Sequence, residues 1–334
     1  MRTPAAAPRM RWALVGVLTL AVVGFLAGNA SLLYLGVSAS GTTSPTARST
    51  GHDALWLGHA WVDGRRTQAD VDALAHRLAG TGIRDLFVHT GPFSDDGTLD
   101  PGLAPRARWL IGALHTALPG VRVQAWLGAH PTSLPLGDPD TRARLLASVG
   151  FVLDEGFDGI HYDFEPVRDG NADLLTILQE TLPVTRARGA LLSVSAVHLE
   201  PFPGPGALLR HAAPTSGLWT PGYLHEVAQL VDQVAVMSYD TGLPTRALYC
   251  GYVRRTTERA LAAVPPGVGL LIGVPAYPPA GVYHRSAEDM ASALRGVRLA
   301  VGNGVPDRAF GVAIYVDFTA TDSDWATYRR DWSP

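Results

Sequence analysis

The sequence predicts a (β/α)8 barrel, a TIM barrel of the α/β class, standing as one domain behind an N-terminal hydrophobic segment. From residue 53 onward, short apolar runs alternate with longer amphipathic stretches, the pattern of repeated βα units and a parallel sheet. Eight such runs fit into a length close to the roughly 250 residues that a closed barrel uses. No Gly-x-Gly-x-x-Gly follows the first run and no phosphate loop stands elsewhere, so an open doubly wound sheet lacks its fingerprint.

Taken in order, strands are expected at 54–62 (ALWLGHAWV), 84–90 (RDLFVHT), 121–128 (VRVQAWLG) and 157–165 (FDGIHYDFE). Four more are expected at 190–198 (ALLSVSAVH), 232–239 (DQVAVMSY), 267–275 (GVGLLIGVP) and 310–317 (FGVAIYVD). Helical stretches fall at Thr67–Leu78, Asp140–Glu155, Asn171–Arg188, Thr256–Ala263 and Ala287–Ala300. Residues 276–309 number only 34 and include one of these helices, which leaves no space for an inserted α+β domain and implies a shallow, open groove.

Ahead of the barrel, residues 1–11 carry Arg2, Arg9 and Arg11 and read as a basic cytoplasmic end. An apolar run from Trp12 to Ala27 follows, then Gly28-Asn29-Ala30-Ser31 and a second apolar piece, Leu32 to Val37. A membrane span takes about 20 apolar residues. Residues 12–37 therefore read either as a transmembrane anchor or as a signal peptide with Val37-Ser38-Ala39 as a small-residue cleavage site. Both send the barrel out of the cytoplasm, membrane-held or secreted. Residues 38–52 are polar and Pro-containing and read as a linker, and 53–334 form the catalytic body.

Composition narrows the partners. Net charge is −3 with 17% charged residues, and all 27 basic residues are arginine. Four of them precede residue 51, where no acid stands, so the body is more acidic than the whole chain. That excludes a nucleic-acid partner, which calls for a basic stripe. Membrane contact is expected only through the N-terminal segment, and the protein is expected to be a monomer. Cys250 is the sole cysteine, so no internal disulfide forms and stability rests on the core that 47% hydrophobic residues can build.

Residues 157–166 read Phe-Asp-Gly-Ile-His-Tyr-Asp-Phe-Glu-Pro. Side chains of a strand alternate faces, so His161, Asp163 and Glu165 share one face while Tyr162 and Phe164 take the other. Glu165 falls at the C-terminal end of its strand, where barrel enzymes carry their chemistry. Two carboxylates beside an imidazole are costly to bury unless paired. The residues alone thus leave two readings, a catalytic set or an ion pair that plugs the barrel mouth.

This segment resembles the fourth strand of glycoside hydrolase family 18, the chitinase-like barrels. Asp158-Gly159-x-His161-x-Asp163-x-Glu165 is similar to that family's Asp-Gly-x-Asp-x-Asp-x-Glu, and Met237-Ser238-Tyr239-Asp240 on the sixth strand matches its Met-x-Tyr-Asp. The likeness covers most of residues 53–334. It implies hydrolysis of O-glycosyl bonds in a polymer with N-acetylated sugars, chitin-like or peptidoglycan, by substrate-assisted retaining catalysis without a cofactor. It implies Glu165 as general acid and then base, its pKa raised by apolar surroundings and by Asp163. Asp163 would orient the acetamido nitrogen, and Tyr239 and Asp240 would hold the acetamido group, with Met237 among the substrate-binding residues.

The chain departs from the family at His161, where members carry an Asp that shares a proton with the next carboxylate. A histidine there is expected to take and return a proton near neutrality or, if cationic, to hold Asp163 ionised. Tyr315 stands where many members have the Trp that floors the sugar site. Trp61, Trp126 and Tyr277 near strand ends are candidate sugar platforms; each alone reads as packing, while the group around one mouth favours carbohydrate. His59, His89, His130, His161 and His198 also recur near strand ends and raise a metal-dependent hydrolase as an alternative. Without His-x-His or His-Glu-x-x-His spacing, and with each histidine on its own strand, no metal site is expected. The remaining alternative is a catalytically inactive glycan-binding barrel.

Overall fold

The computed structural model describes residues 24, 26, 28–204 and 217–334. Eight parallel strands close into a barrel in sequence order. They are β1 (Asp53–Leu57), β2 (Ile83–Pro92), β3 (Arg122–Ala129), β4 (Gly159–Phe164), β5 (Leu191–Ala196), β6 (Gln233–Met237), β7 (Gly269–Pro275) and β8 (Phe310–Tyr315). Each expected strand is present. The first stops at Leu57 instead of running on to 62, because the Gly58 N–H turns to Asp317 Oδ1 (2.8 Å) and the chain enters a 3-10 helix, His59–Trp61. Gly58 is required there: a Cβ would stand 2.6 Å from the Phe318 ring.

Outside the barrel lie α1 (28–38), α2 (Gln68–Leu78), α3 (Ala107–Ala117), α4 (Pro139–Asp154) and α5 (Ala172–Arg186). After them come α6 (Pro221–Ala228), α7 (Arg246–Ala263), α8 (Met290–Val301) and α9 (Asp322–Asp331). Most start on side-chain caps that the sequence displays: Asp138 accepts from Thr141 N, Asn171 from Leu174 N, and Asp289 from Ser292 N. Thr321 and Asp324 make a capping box. Three helices went unanticipated. α3 begins at Arg106 with no side-chain cap, α6 has only two turns, and α9 buries only Trp325 and Tyr328. α7 starts well before the expected Thr256, capped by Thr245. Its buried residues spread over several faces because α1 lies across it, so no single apolar stripe marks it.

Two cores result. Trp56, Phe87, Trp126, Ala235, Leu271 and Ala313 fill the barrel interior, while the larger core lies between strands and helices. β4 shows the split directly. His161 stacks on Phe87 inside, whereas Tyr162 reaches out to Thr181 on α5 (2.9 Å). At the N-terminal end of the barrel the Asp85 carboxylate takes a two-pronged bond from Arg122 (2.7 and 2.5 Å) and one each from Gln124 and Gln233. That plug closes the barrel interior at its N-terminal end. Asp53, also buried there, holds the chain terminus: it accepts from Val312 N, Trp332 Nε1 and Tyr328 Oη (2.8, 2.9 and 2.6 Å).

Residues 38–52, expected as a linker, lie along the outside of the barrel. Gly251 on α7 lets the Leu35 backbone come so close that a Cβ there would stand 1.8 Å from Leu35 O. Arg254 holds Ser38 O and Ser40 O, and Arg255 holds Ser38 Oγ. On α8, Arg295 holds Gly41 O and Arg298 holds Ser44 O; Ser49 N then reaches Trp332 O (2.7 Å). Most of the expected apolar segment, residues 12–37, lies outside the described residues. No helix among the described residues is long and apolar enough to cross a membrane.

Candidate active site

The barrel mouth gathers four residues anticipated as catalytic, Asp163, Glu165, Tyr239 and Asp240. Asp163 points inward from β4, and its Oδ2 accepts the indole N–H of Trp126 on neighbouring β3 (2.8 Å). Its Oδ1 is buried without a well-aligned hydrogen bond, although Glu165 and Ser195 stand close enough to lower the Asp163 pKa. Burial raises the Asp163 pKa. Glu165, one alternation further along the chain, is pushed up to about 8, first by burial, then by the charge of Asp163 and more weakly by Asp240. At neutral pH Glu165 is therefore largely protonated, a carboxylic acid held at a barrel mouth.

The backbone around these groups is pinned by histidines. His130 Nδ1 donates to Glu165 O (2.8 Å), and His198 Nε2 donates to Tyr239 O (2.6 Å). Tyr239 stacks on Tyr315 of β8, ring centroids 4.9 Å apart and planes within 13°. Gly273 of β7 makes space for it, since a Cβ there would stand 2.8 Å from Tyr239 Cε1. Tyr315 also meets Trp126 and Tyr277 edge-on and forms the aromatic floor of the mouth. Met237, 6% exposed, closes the end of β6 beneath Tyr239.

Asp240 adopts a left-handed backbone (φ 59°), a conformation that Asp tolerates better than most residues. Its Oδ1 accepts from Tyr277 Oη (2.5 Å) and contacts His284 Nε2 (2.9 Å). Tyr277 thus serves as a brace for Asp240 as well as an edge of the mouth. Trp126 is 9% exposed, its N–H committed to Asp163. Trp61 lies in the 3-10 helix, 5% exposed, with its N–H on Asp317 (2.7 Å) and the Arg66 guanidinium over its ring. Neither indole stands open as a platform.

His161 is the main correction. It was expected to exchange a proton with Asp163 near neutrality, or to hold it ionised as a cation. Instead the ring is sealed inside the barrel, stacked on Phe87 at 3.8 Å, with Nδ1 on Ser193 Oγ (2.7 Å) and Nε2 near Ser195 Oγ (3.0 Å). Trp56 Nε1 donates to Nε2 (3.2 Å). An indole N–H can only donate, so Nε2 is an acceptor and the proton sits on Nδ1. Burial pushes the imidazole down to about 3, so it stays neutral throughout the physiological range. Its link to the carboxylates runs through Ser195, whose nearness lowers the Asp163 pKa against the burial effect.

The histidines expected to stand apart include one touching pair: His59 Nδ1 donates to His89 O (3.1 Å) and lies 3.3 Å from His89 Nδ1. Burial and the neighbouring His59 push His89 down to about 4. Among the described residues no three His, Cys, Asp or Glu side chains come together in a set that could hold a metal. Sequence reasoning missed His284, Ser193, Ser195 and Trp56. The two serines did carry a signal, as hydroxyls two apart on an otherwise apolar strand. His284 carried none, since it lies in a loop distant in sequence from Asp240.

No known family profile matches the chain, and no curated protein matches it in sequence. Solved structures match in fold. The spore cortex-lytic enzyme SleL of Bacillus megaterium matches with a TM-score of 0.59 at 14% identity, over 86% of this chain and 75% of that one. A Group IV chitinase of Ostrinia furnacalis matches with 0.57 at 16% identity, over 83% and 98% of the two chains. A chitinase of Chromobacterium violaceum matches with 0.58 at 16% identity, over 85% and 99%. This chain therefore has the fold shared by those chitinases and that cortex-lytic enzyme, the fold that its strand-4 and strand-6 motifs implied.

Proposed function

We propose that the protein is a glycoside hydrolase acting on a polymer that contains N-acetylated sugars, with Glu165 as the proton donor. The observation that carries this reading is the buried Glu165 carboxyl, its pKa pushed up by burial and by Asp163 beside it, at the mouth of a barrel with this fold. In the proposed reaction Glu165 protonates the glycosidic oxygen as the bond from C1 breaks. The acetamido carbonyl oxygen of the same sugar closes on C1, giving a cyclic oxazolinium ion. Asp163 Oδ1, buried without a well-aligned hydrogen bond, takes the acetamido N–H and balances the positive charge. Tyr239 donates to the acetamido oxygen, Asp240 offers its second carboxylate oxygen, and Tyr315 underlies the ring. Glu165, now a carboxylate, deprotonates the water that reopens the ring with retention at C1.

Location is part of the proposal. The arginines and apolar residues of 1–37 support an extracytoplasmic site of action, where chitin-like or cell-wall glycan is met. Protease added to intact cells should then digest the barrel, and its full protection would contradict export.

Turnover of N-acetylglucosamine oligomers and of purified peptidoglycan is the test, run beside Glu165→Gln. Cleavage that disappears in the variant supports the assignment. A non-catalytic glycan-binding barrel is favoured by one observation, that His161 does not reach Asp163 as the family's Asp would. That reading expects saturable sugar binding without cleavage, unchanged by Glu165→Gln.

A further inference from the structure

A second concave site lies at the end of the barrel opposite the mouth. Under the Asp85 plug is a cavity of about 350 Å³, lined by residues at the start of every strand except β4. That size falls at the lower end of the roughly 300–1,000 Å³ of small-molecule pockets. His52, Arg84, Arg122 and Asp232 stand on its polar wall, with Gly267 and Leu270 on its apolar side. The turn that carries Gly267 is fixed by Arg308, whose guanidinium donates to Val264 O, Pro265 O and Val268 O (2.9, 2.8 and 2.6 Å).

The charges around this cavity do not balance. Arg122 is matched by Asp85, to which it gives Nε and Nη2, leaving Nη1 uncommitted. Asp232 uses one oxygen to accept from Leu192 N (2.8 Å). Arg84 is exposed, and among the described residues neither it nor His52 has a hydrogen-bond or ion-pair partner. Arg308 bonds only to carbonyls, its Nε has no partner, and burial pushes its guanidinium pKa down. Three guanidiniums thus meet two carboxylates, and a cation drawn out of water without a counter-ion is costly.

We propose that the cavity binds a small ligand through an oxyanion, a phosphate or carboxylate group, held by Arg84 with Arg122 Nη1 and His52 beside it. The planar fork of an arginine matches two oxygens of either group. Leu270 and the open side of Gly267, where a Cβ would meet nothing within 4 Å, take the uncharged remainder of the ligand. The site shares no residue with the mouth and does not depend on the glycosidase reading.

Isothermal titration calorimetry of the full chain with inorganic phosphate, at fixed ionic strength, tests this. Saturable binding is expected, weakened about tenfold by Arg84→Ala and partly restored by Arg84→Lys. Arg168→Ala removes the same charge from the exposed loop between β4 and α5, at the other end of the barrel, and should leave binding unchanged. Methyl phosphate and acetate, titrated alongside, separate a phosphate ester from a carboxylate as the preferred group. Absence of saturable binding by all three anions overturns the proposal. Binding that ignores Arg84→Ala, or that falls equally in Arg168→Ala, also overturns it, since the anion would then be answering net charge alone.

Discussion

The indole N–H of Trp56 donates to Nε2 of His161, and this one bond decides what the histidine can do. It fixes the proton on Nδ1 and, together with burial, keeps the imidazole neutral. A group whose pKa is pushed down to about 3 does not titrate between pH 5 and 8. The rate profile of His161→Gln should therefore keep the shape of the parent's over that range. The variant should lose roughly 1–3 kcal/mol of stability in chemical denaturation, because Trp56 and Ser193 lose their partner. A profile that changes shape near pH 6.5 in the variant would show that the ring does titrate.

In the proposed mechanism Glu165 is the acid, and its carboxyl, pushed up to about 8 by burial and by Asp163, sets the alkaline limb. Activity should hold up to that pH and then fall about tenfold for each further pH unit. The sign for stability follows from the same displacement. The folded state binds the proton more tightly than the unfolded state, so ionisation of Glu165 erodes stability as pH rises from about 4.5 through 8. Glu165→Gln should leave stability unchanged near pH 4 and raise it above pH 8, by a few kcal/mol at most at about 1.4 kcal/mol per pH unit. Thermal unfolding of both proteins at the two pH values checks this. Cleavage itself should drop by roughly 10²–10⁴-fold.

Gly273→Ala tests the seat of Tyr239 from the neighbouring strand. The added methyl would stand 2.8 Å from Tyr239 Cε1 and 3.2 Å from Val236 O, so the ring must move off Tyr315. Cleavage should fall about 10²-fold, the scale of an ångström-sized misplacement. An intact circular dichroism spectrum would show that the fold survives.

At the opposite end, Asp53→Ala removes one carboxylate from three buried donors, Trp332, Tyr328 and Val312 N. About 3 kcal/mol or more should be lost in denaturant unfolding, on the scale of roughly 1–3 kcal/mol for each orphaned buried group. Kinetic constants at a temperature where the variant is folded should stay unchanged, because the residue lies at the sealed end.

How much of this was readable beforehand follows from the range of the forces involved. Runs such as 268–275 and 310–316 hold only apolar residues and glycine because both of their faces are covered, and they announce themselves. The alternation that sends His161 and Asp163 inward and Tyr162 outward is equally local. α9 was silent because it buries only Trp325 and Tyr328, and α7 because a second helix covers its far side. The state of His161 depended on Trp56, Phe87, Ser193 and Ser195 from three other strands, contacts that only barrel closure creates. The His284–Asp240 contact came from two loops, where no periodicity operates.

The seat of α1 on Gly251 and the arginine ties beyond it fix the working radius of the barrel. An extended chain covers about 3.3–3.6 Å per residue, so a free stretch from 38 to 52 would let the mouth roam about 50 Å from its mooring. Tied down along two helices, the same residues add nothing to that range. If the chain is held ahead of residue 28, as the export proposal allows, the barrel has no tether of its own and its substrate has to come to it.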